Sequence, residues 1–223
     1  MGGRLSIGSN GGGELALRAV IFDYGMVLSG PPDPAAHAAL VRIAGLPEAE
    51  FESLYWRDRH AYDEGKLTGL EFWQKFNHDA GLNLSPAGID ELNHWDGLMW
   101  TTRNEAMLAW AERLKARGIL TAILSNMGDN VLASIKRTFT WPERFDVRVW
   151  SFEHLMAKPE PAIYRLTLEQ LGTRAEETLF IDDREVNVDA AVALGMVAIQ
   201  FTTVENLRAE LVARHLDDEL PSP

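Results

Sequence analysis

The residues best suited to chemistry stand at the carboxyl ends of three predicted strands. Asp23 follows the first strand, Ser125 and Asn126 follow the second, and Asp182 and Asp183 follow the third. Taken alone, Asp23 is better explained as a residue that only caps the turn after its strand. The ends of parallel strands, however, meet at one edge of a sheet, where open α/β sheets bind their ligands. The three endings together therefore predict one functional crevice.

A lysine stands between the second and third of these strands. Lys158 is followed by Pro159 and Pro161, which hold it in a loop. Close carboxylates repel each other and do not stay ionised together without a cation. Mg²⁺ prefers hard oxygen ligands and keeps room for a substrate phosphate. The sequence therefore predicts a magnesium site at this edge of the sheet.

Strand-like and helix-like segments alternate from Thr101 onward, which predicts a doubly wound parallel sheet with helices on both faces. The first helix of this series is expected to begin with a capping box of Thr102 and Glu105. The alternation is expected to end with a strand at Val197–Phe201. The fold class is therefore predicted to be α/β with a Rossmann-like core.

The stretch between the first and second predicted strands has helical periodicity only. We expect residues 31–100 to form an all-helical cap, inserted into an α/β core of residues 18–30 and 101–223. The glycine- and serine-rich residues 1–17 are expected to be a flexible lead-in.

Composition excludes several classes of function. A net charge of −12 argues against nucleic-acid binding, which needs a basic face. No apolar run is long enough to cross a membrane, and Met1 to Gly13 lack the apolar segment of a secretory signal. The absence of cysteine excludes disulfides and thiolate sites. We therefore expect a cytoplasmic enzyme with a small-molecule substrate, whose oligomeric state the sequence does not indicate.

Four segments in order resemble the motifs of the haloacid dehalogenase superfamily. They are Asp23 after the first strand, Leu124–Asn126, Lys158–Pro161 and Ile181–Asp183. The helical insertion falls between the first and second segments, as in members with a small helical cap. The resemblance covers about Arg18 to Phe201, and four motifs in register are far more diagnostic than any one of them.

The resemblance implies a Mg²⁺-dependent phosphatase that acts on a small phosphomonoester, such as a sugar phosphate, through a phosphoaspartyl intermediate. It implies that Lys158 offsets the negative charge of both the nucleophile and the phosphoryl group. The implied site comprises the nucleophile Asp23, the metal ligands Asp23, Gly25 (through its carbonyl) and Asp183, the phosphate-binding residues Ser125, Asn126, Lys158 and Met26, and the supporting residues Asp182 and Asn187.

Gly25 departs from the pattern of most phosphatases in this superfamily. They have a second aspartate at this position, which protonates the leaving oxygen and later activates water. Glycine does neither, and general acid–base catalysis is typically worth about 10²–10⁴ in rate. The sequence therefore predicts a slower phosphatase, or one that recruits an acid from the cap or from the substrate.

Two alternatives stay open. A 2-haloacid dehalogenase also lacks the second aspartate, and there Asp23 would attack carbon and displace halide without a metal. The pair Asp182 and Asp183 favours the metal-dependent phosphatase instead. A protein of another class, a non-catalytic binding or regulatory module, would keep the fold and lose turnover through Gly25.

The cap is expected to close over the site and to supply substrate contacts. Arg57 and Tyr62, close to a predicted helix end, are the candidates for those contacts. His60 is a weaker candidate for a substitute acid, since a surface role is more common for such a residue. Trp73 and Trp95 are predicted to pack in the core of the cap.

Overall fold

The protein is described by a computed structural model that covers residues 16–223. Its centre is a sheet of five parallel strands in the order β3-β2-β1-β4-β5. The strands are β1 (Ala19–Phe22), β2 (Leu120–Ser125), β3 (Val147–Trp150), β4 (Thr178–Asp182) and β5 (Val197–Gln200). The first strand therefore lies in the middle of the sheet, between β2 and β4.

The short central strand is apolar on both sides because both faces of the sheet are covered. Val20 and Phe22 pack into one core, whereas Ala19 and Ile21 pack into the other. None of these four side chains is exposed to solvent. The doubly wound α/β architecture predicted from the sequence is confirmed.

Helices fill the segments between the strands. Five α-helices separate β1 from β2, and the first four are α1 (Pro34–Ala44), α2 (Glu48–Asp63), α3 (Gly69–Asp79) and α4 (Pro86–Met99). The others are α5 (Glu105–Ala116), α6 (Asp129–Thr138), α7 (Ser151–His154), α8 (Pro161–Leu171), α9 (Glu185–Ala193) and α10 (Val204–Ala213). None of the helices in residues 16–223 has the length and apolar character needed to cross a bilayer.

Aromatic rings pack between α2 and α3 in the helical cap, as part of the hydrophobic core that also covers one face of the sheet. Phe51 and Tyr55 of α2 pack against Phe72, Trp73 and Phe76 of α3, with ring centroids 5.4–6.3 Å apart. Trp73 is fully buried, as the sequence predicted. The phase of α2 is set by this packing, which decides which of its other residues turn toward the sheet.

Two details differ from the sequence-based predictions. The side chain that caps α5 is Asn104, which accepts a hydrogen bond from the N–H of Met107 at 3.3 Å. The hydroxyl of Thr102 instead donates to the carbonyl of Pro31 at 2.8 Å, so the predicted capping box is wrong. The series also continues past β5 into α10, a helix that the sequence analysis missed. The predicted lead-in lies outside the described residues, except for residues 16 and 17.

Candidate active site

The parallel register brings the predicted site residues to one edge of the sheet. Phe22 lies opposite Ile123 of β2 and Ile181 of β4, so the next residue, Asp23, stands beside the ends of both neighbours. A cavity of about 320 Å³ opens at this edge. It is lined by Asp23, Tyr24, Gly25, Met26, Pro32, Trp56, Arg59, Asp63, Trp100, Ser125, Asn126, Met127, Val131, Lys158, Asp183, Arg184 and Asn187.

Lys158 bridges two carboxylates at the bottom of this cavity. Its Nζ donates to Asp23 Oδ1 at 2.7 Å and to Asp182 Oδ2 at 2.6 Å. The lysine and Asp182 side chains are fully buried, whereas 11% of the Asp23 side chain is exposed. Asp23 is therefore the carboxylate of this trio that a ligand in the cavity can reach.

The charges of the trio depend on each other. Burial raises the pKa of Asp23, Lys158 opposes that shift, and Asp182 and Asp183 add to it. Burial alone would lower the pKa of Lys158, but the two carboxylates that it contacts raise it. Lys158 is therefore a permanent cation, and it holds Asp23 in a position from which the carboxylate can attack an electrophile.

Hydrogen bonds hold the bridging lysine and its inner partner. The side chain of Asn126 accepts from the N–H of Lys158 and donates to its carbonyl, at 2.7 and 2.8 Å. Asp182 Oδ1 accepts from the N–H of Arg184 and from Asn187 Nδ2, both at 2.9 Å. Asn187, one of the two expected supporting residues, therefore orients the other, Asp182.

The acidic cluster fits a magnesium ion. Carboxylate oxygens of Asp23, Asp182 and Asp183 lie within 4.8 Å of one another. Both oxygens of Asp182 are already bonded, which leaves one oxygen of Asp23 and the carboxylate of Asp183. Burial, followed by the Asp182 charge, raises the pKa of Asp183, and Asp183 forms no ion pair with any residue in 16–223. Two undercompensated carboxylates are a donor set that Mg²⁺ prefers.

The turn after β1 contains two further predicted site residues. Gly25 lines the cavity with φ −62° and ψ 132°, angles that any residue adopts, and a Cβ there would lie 3.7 Å from Asp23 Oδ2. The N–H of Met26 donates to Ser29 Oγ at 3.0 Å. Met26 therefore does not offer that N–H to a phosphate, and its side chain, 40% exposed, forms part of the cavity rim.

The two cap residues predicted to contact substrate do not line the cavity. Arg57 is exposed and forms ion pairs with Asp58 and Asp79. Tyr62 is buried in the cap, where its ring stacks on Phe72 with centroids 5.1 Å apart. Their predicted role as substrate contacts is not supported, because neither side chain reaches the cavity.

Other residues of α2 face the cavity instead of Arg57 and Tyr62. Trp56, Arg59 and Asp63 line the cavity, and they repeat at the three- and four-residue spacing of one helix face. His60 lies on another face, where 64% of its side chain is exposed beside Glu64. The sequence contained this signal, since the aromatic positions Phe51 and Tyr55 fix the buried face and hence the phase of α2.

Arg59 is the centre of a second buried network. Its Nε donates to Asp63 Oδ1 at 2.9 Å, and its Nη1 donates to Asp96 Oδ1 at 3.0 Å and to the hydroxyl of Tyr55. The guanidinium also lies 5.8 Å from the centroid of the Trp100 ring. The cap therefore presents a fixed arginine–aspartate pair to the cavity.

Curated proteins similar to this chain have different activities. Mouse acyl-CoA dehydrogenase family member 10 is 27% identical over 90% of this chain, but the chain spans only 19% of that longer protein. (S)-2-haloacid dehalogenase 1 of a Pseudomonas species is 27% identical over 84% of this chain and 86% of its own length. A sesquiterpene phosphatase of Aspergillus oryzae is 26% identical over 63% and 77%.

Solved structures share the fold. A HAD family enzyme of Bacteroides thetaiotaomicron, described as a complex with magnesium and inorganic phosphate, superposes with a TM-score of 0.70. It is 23% identical and covers 84% of this chain and 95% of its own. The family model of haloacid dehalogenase-like hydrolases matches residues 18–195, which include every candidate site residue described above. The chain belongs to the haloacid dehalogenase-like hydrolase family.

Proposed function

We propose that this hydrolase is a Mg²⁺-dependent phosphatase that cleaves a small phosphomonoester through an aspartyl-phosphate on Asp23. The observation that carries this proposal is the position of Asp183, a carboxylate without an ion pair among residues 16–223, beside the lysine-bound nucleophile Asp23. Asp23, Asp183 and the carbonyl of Gly25 would hold the ion. Bound there, Mg²⁺ would neutralise charge on the transferring phosphoryl group and make it electrophilic.

Residues of the chain would supply the nucleophile, the charge stabilisation and the substrate contacts. Asp23 attacks phosphorus with one carboxylate oxygen, while its other oxygen would contact the ion. Lys158 offsets the negative charge that builds on the phosphoryl oxygens, in a site that excludes most water. Ser125 and Asn126 line the same cavity, and we expect the Ser125 hydroxyl and the backbone N–H of Asn126 to hold two of those oxygens. The aromatic and apolar rim formed by Met26 and the cap receives the rest of the ester.

Comparisons support the choice of reaction class. One relative is named a sesquiterpene phosphatase, and one structural neighbour is described with magnesium and inorganic phosphate. The cavity, at about 320 Å³, has the size of a site for a small metabolite rather than a polymer. A sugar phosphate stays among the expected substrates, and a cytoplasmic location stays a prediction.

The test is a screen of phosphorylated metabolites and of p-nitrophenyl phosphate, run with Mg²⁺ and again with EDTA. Phosphate release is expected only with the metal, and Asp23→Asn is expected to lower turnover by at least about 10³-fold. On acid quench, the native chain is expected to give a phosphoenzyme and the variant none. Full activity of Asp23→Asn, or activity that EDTA leaves unchanged, would contradict the proposal.

A 2-haloacid dehalogenase is the second candidate, and one observation favours it. Lys158 already contacts Asp23 at 2.7 Å, so the nucleophile is held in place without a metal. The named relative with this activity points the same way. Halide release from 2-chloropropionate in EDTA would establish this reaction. Binding of Mg²⁺ without turnover of either substrate class would instead support a non-catalytic module.

A further inference from the structure

Position 25 is glycine, so the site lacks the usual proton donor for the leaving oxygen of a phosphate ester. Few titratable groups line the cavity within residues 16–223. Asp23, Lys158 and Asp183 have other tasks, and arginine side chains stay protonated. The Tyr24 hydroxyl donates to the carbonyl of Trp100 at 2.8 Å, and burial raises its pKa well above the ordinary value. The remaining group is the carboxyl of Asp63.

The end of α2 that carries Asp63 is fastened to the loop after β2. The hydroxyl of Ser151 donates to the carbonyl of Asp63 and accepts from the N–H of Met127 at 2.8 Å. Met127 is two residues beyond Ser125, which lies at the bottom of the cavity. Asp63 is therefore tied by two hydrogen bonds to the segment that forms the phosphate site.

Close packing fixes the same end of the helix. Gly128, next in the loop, lies so near the ring of Tyr62 that an added Cβ would overlap it. Gly65 lies against the backbone of Phe152, and its positive φ of 85° suits glycine. These approaches leave Asp63 little freedom to move away from the sheet edge.

The carboxyl of Asp63 has one oxygen held and one oxygen free for a ligand. Oδ1 accepts from Arg59 Nε at 2.9 Å, and 15% of the side chain is exposed, at the cavity. Burial raises the pKa of Asp63 to about 6, although Arg59 opposes that shift. A carboxyl with this pKa is protonated often enough near neutral pH to donate a proton and later to accept one.

We propose that Asp63, a residue of the cap, is the general acid and base that replaces the carboxylate missing at Gly25. The assignment rests on the phosphatase function proposed above. A cavity of about 320 Å³ shared by Asp23 and Asp63 brings a small ester bound to the nucleophile into reach of the cap carboxyl. Arg59 is the positioning residue that holds that carboxyl.

Two proton transfers complete the reaction. First, an Asp23 oxygen bonds to phosphorus, the phosphorus–oxygen bond of the ester breaks, and the leaving oxygen takes the proton of Asp63 and departs as an alcohol. Next, water bonds to phosphorus and gives a proton to the Asp63 carboxylate. The bond between phosphorus and the Asp23 oxygen breaks, and phosphate leaves. Asp63 ends the cycle protonated, as it began.

The experiment compares two aromatic esters whose leaving groups differ in their need for a proton. Nitrophenolate leaves p-nitrophenyl phosphate without one, whereas the alcohol of 2-phenylethyl phosphate leaves only when protonated. In single turnover with Mg²⁺, Asp63→Asn is expected to slow release of the alcohol by about 10²-fold or more. Release of nitrophenol is expected to change less than about threefold.

The Asp63→Asn variant is also expected to release nitrophenol in a burst. With excess p-nitrophenyl phosphate, one nitrophenol per site should appear rapidly and turnover should then slow, because hydrolysis of the aspartyl-phosphate has lost its base. If Asp63 served only to hold Arg59, both esters would slow equally and no burst would appear, which would overturn the role. Unchanged alcohol release would overturn it as well.

Rescue gives a second, independent readout. Gly25 has ordinary backbone angles and room for a Cβ, so Gly25→Asp is expected to fold. In the Asp63→Asn background, it should restore alcohol release at least about tenfold. No rescue in a folded double variant that retains nitrophenol release would count against the acid role. If the native chain with Mg²⁺ cleaves neither ester, phosphatase activity itself is refuted, which is a different result from a failure of Asp63.

Discussion

Two buried networks line the same cavity, and each places one cation between two carboxylates. In the core, Lys158 lies between Asp23 and Asp182, and in the cap Arg59 lies between Asp63 and a partner on α4, Asp96. One carboxylate of each network is fully buried, whereas the other is 11–15% exposed at the cavity. The same charge arrangement therefore occurs once on the sheet and once on the cap.

The networks differ in how completely their buried carboxylates are satisfied. Both oxygens of Asp182 accept hydrogen bonds, whereas Asp96 Oδ2 has no partner among residues 16–223. Aromatic rings hold Arg59 instead, with Tyr55 and Tyr62 at 5.1 and 5.0 Å from the guanidinium carbon. The core network is therefore the more completely bonded of the two, because Asp182 holds Lys158 with both of its own oxygens satisfied, whereas Asp96 holds Arg59 through one oxygen and leaves the other unpartnered.

The largest expected effect comes from removing the central cation of each network. Lys158→Met leaves Asp23 and Asp182 buried without a counter-charge, and Arg59→Met does the same to Asp63 and Asp96. Each is expected to lower the free energy of unfolding by about 3–5 kcal/mol. Only Lys158→Met is expected to slow nitrophenol release from p-nitrophenyl phosphate, by about 10³-fold. Urea unfolding and single-turnover assays measure the two quantities.

Arg59→Met is the matched control for that experiment, since it removes a buried cation of the same fold without touching the nucleophile. Its single-turnover rate with p-nitrophenyl phosphate should stay within about threefold of the native rate, at a temperature where the variant is folded. An equal loss of this rate in both variants would mean that the two networks do not have separate tasks.

The core network could be predicted from the sequence because topology determines it. Asp23, Ser125 and Asp182 each follow an apolar strand, and parallel strands leave such residues at one edge. Finer contacts could not be predicted in this way. A motif gives the position of Asn187 but not which carboxylate its amide reaches, and it gives Met26 but not the hydrogen bond to Ser29.

The cap network was missed because the sequence of a helix does not by itself determine which side of the helix faces the cavity. Which residues of α2 face the cavity depends on its rotation, and Phe51 and Tyr55 set that rotation only once they are known to pack against α3. Arg57 and Tyr62 lie two and three residues from Arg59, yet neither lines the cavity. Helix α10 was missed although it carried the usual signals, a capping Thr203 followed by Leu207 and Leu211 on one face.

A smaller effect on stability and on alcohol release is expected from a substitution where α2 packs against the loop after β2. Gly128→Ala would push the ring of Tyr62 and, with it, the end of α2 away from the loop after β2. The overlap is expected to cost about 1–3 kcal/mol of unfolding free energy and to slow alcohol release from 2-phenylethyl phosphate more than nitrophenol release. Thermal unfolding and the paired assays measure both.

Gly88→Ala is the control for that substitution, because a Cβ in this turn of α4 meets only ordinary contacts at 3.5 Å or more. Its stability is expected to be unchanged or to rise by up to about 1 kcal/mol. If Gly128→Ala were as harmless as Gly88→Ala, the close approach of Tyr62 would not hold the end of α2.

The smallest expected effect is a shift in pH dependence. Asp63 donates only when protonated, and its pKa of about 6 means that alcohol release from 2-phenylethyl phosphate should fall as pH rises through about 6.

Three charged groups act on the pKa of Asp63: Arg59 lowers it, Asp96 raises it and His60 lowers it. Asp96→Asn removes the group that raises it and leaves Arg59 to Asp63 alone, so the falling limb should move to lower pH, by about one unit or less. Nitrophenol release, which needs no proton, should have the same pH profile in both proteins. A shift of the limb to higher pH, or a shift shared by both esters, would show that the charge of the cap network does not act through Asp63.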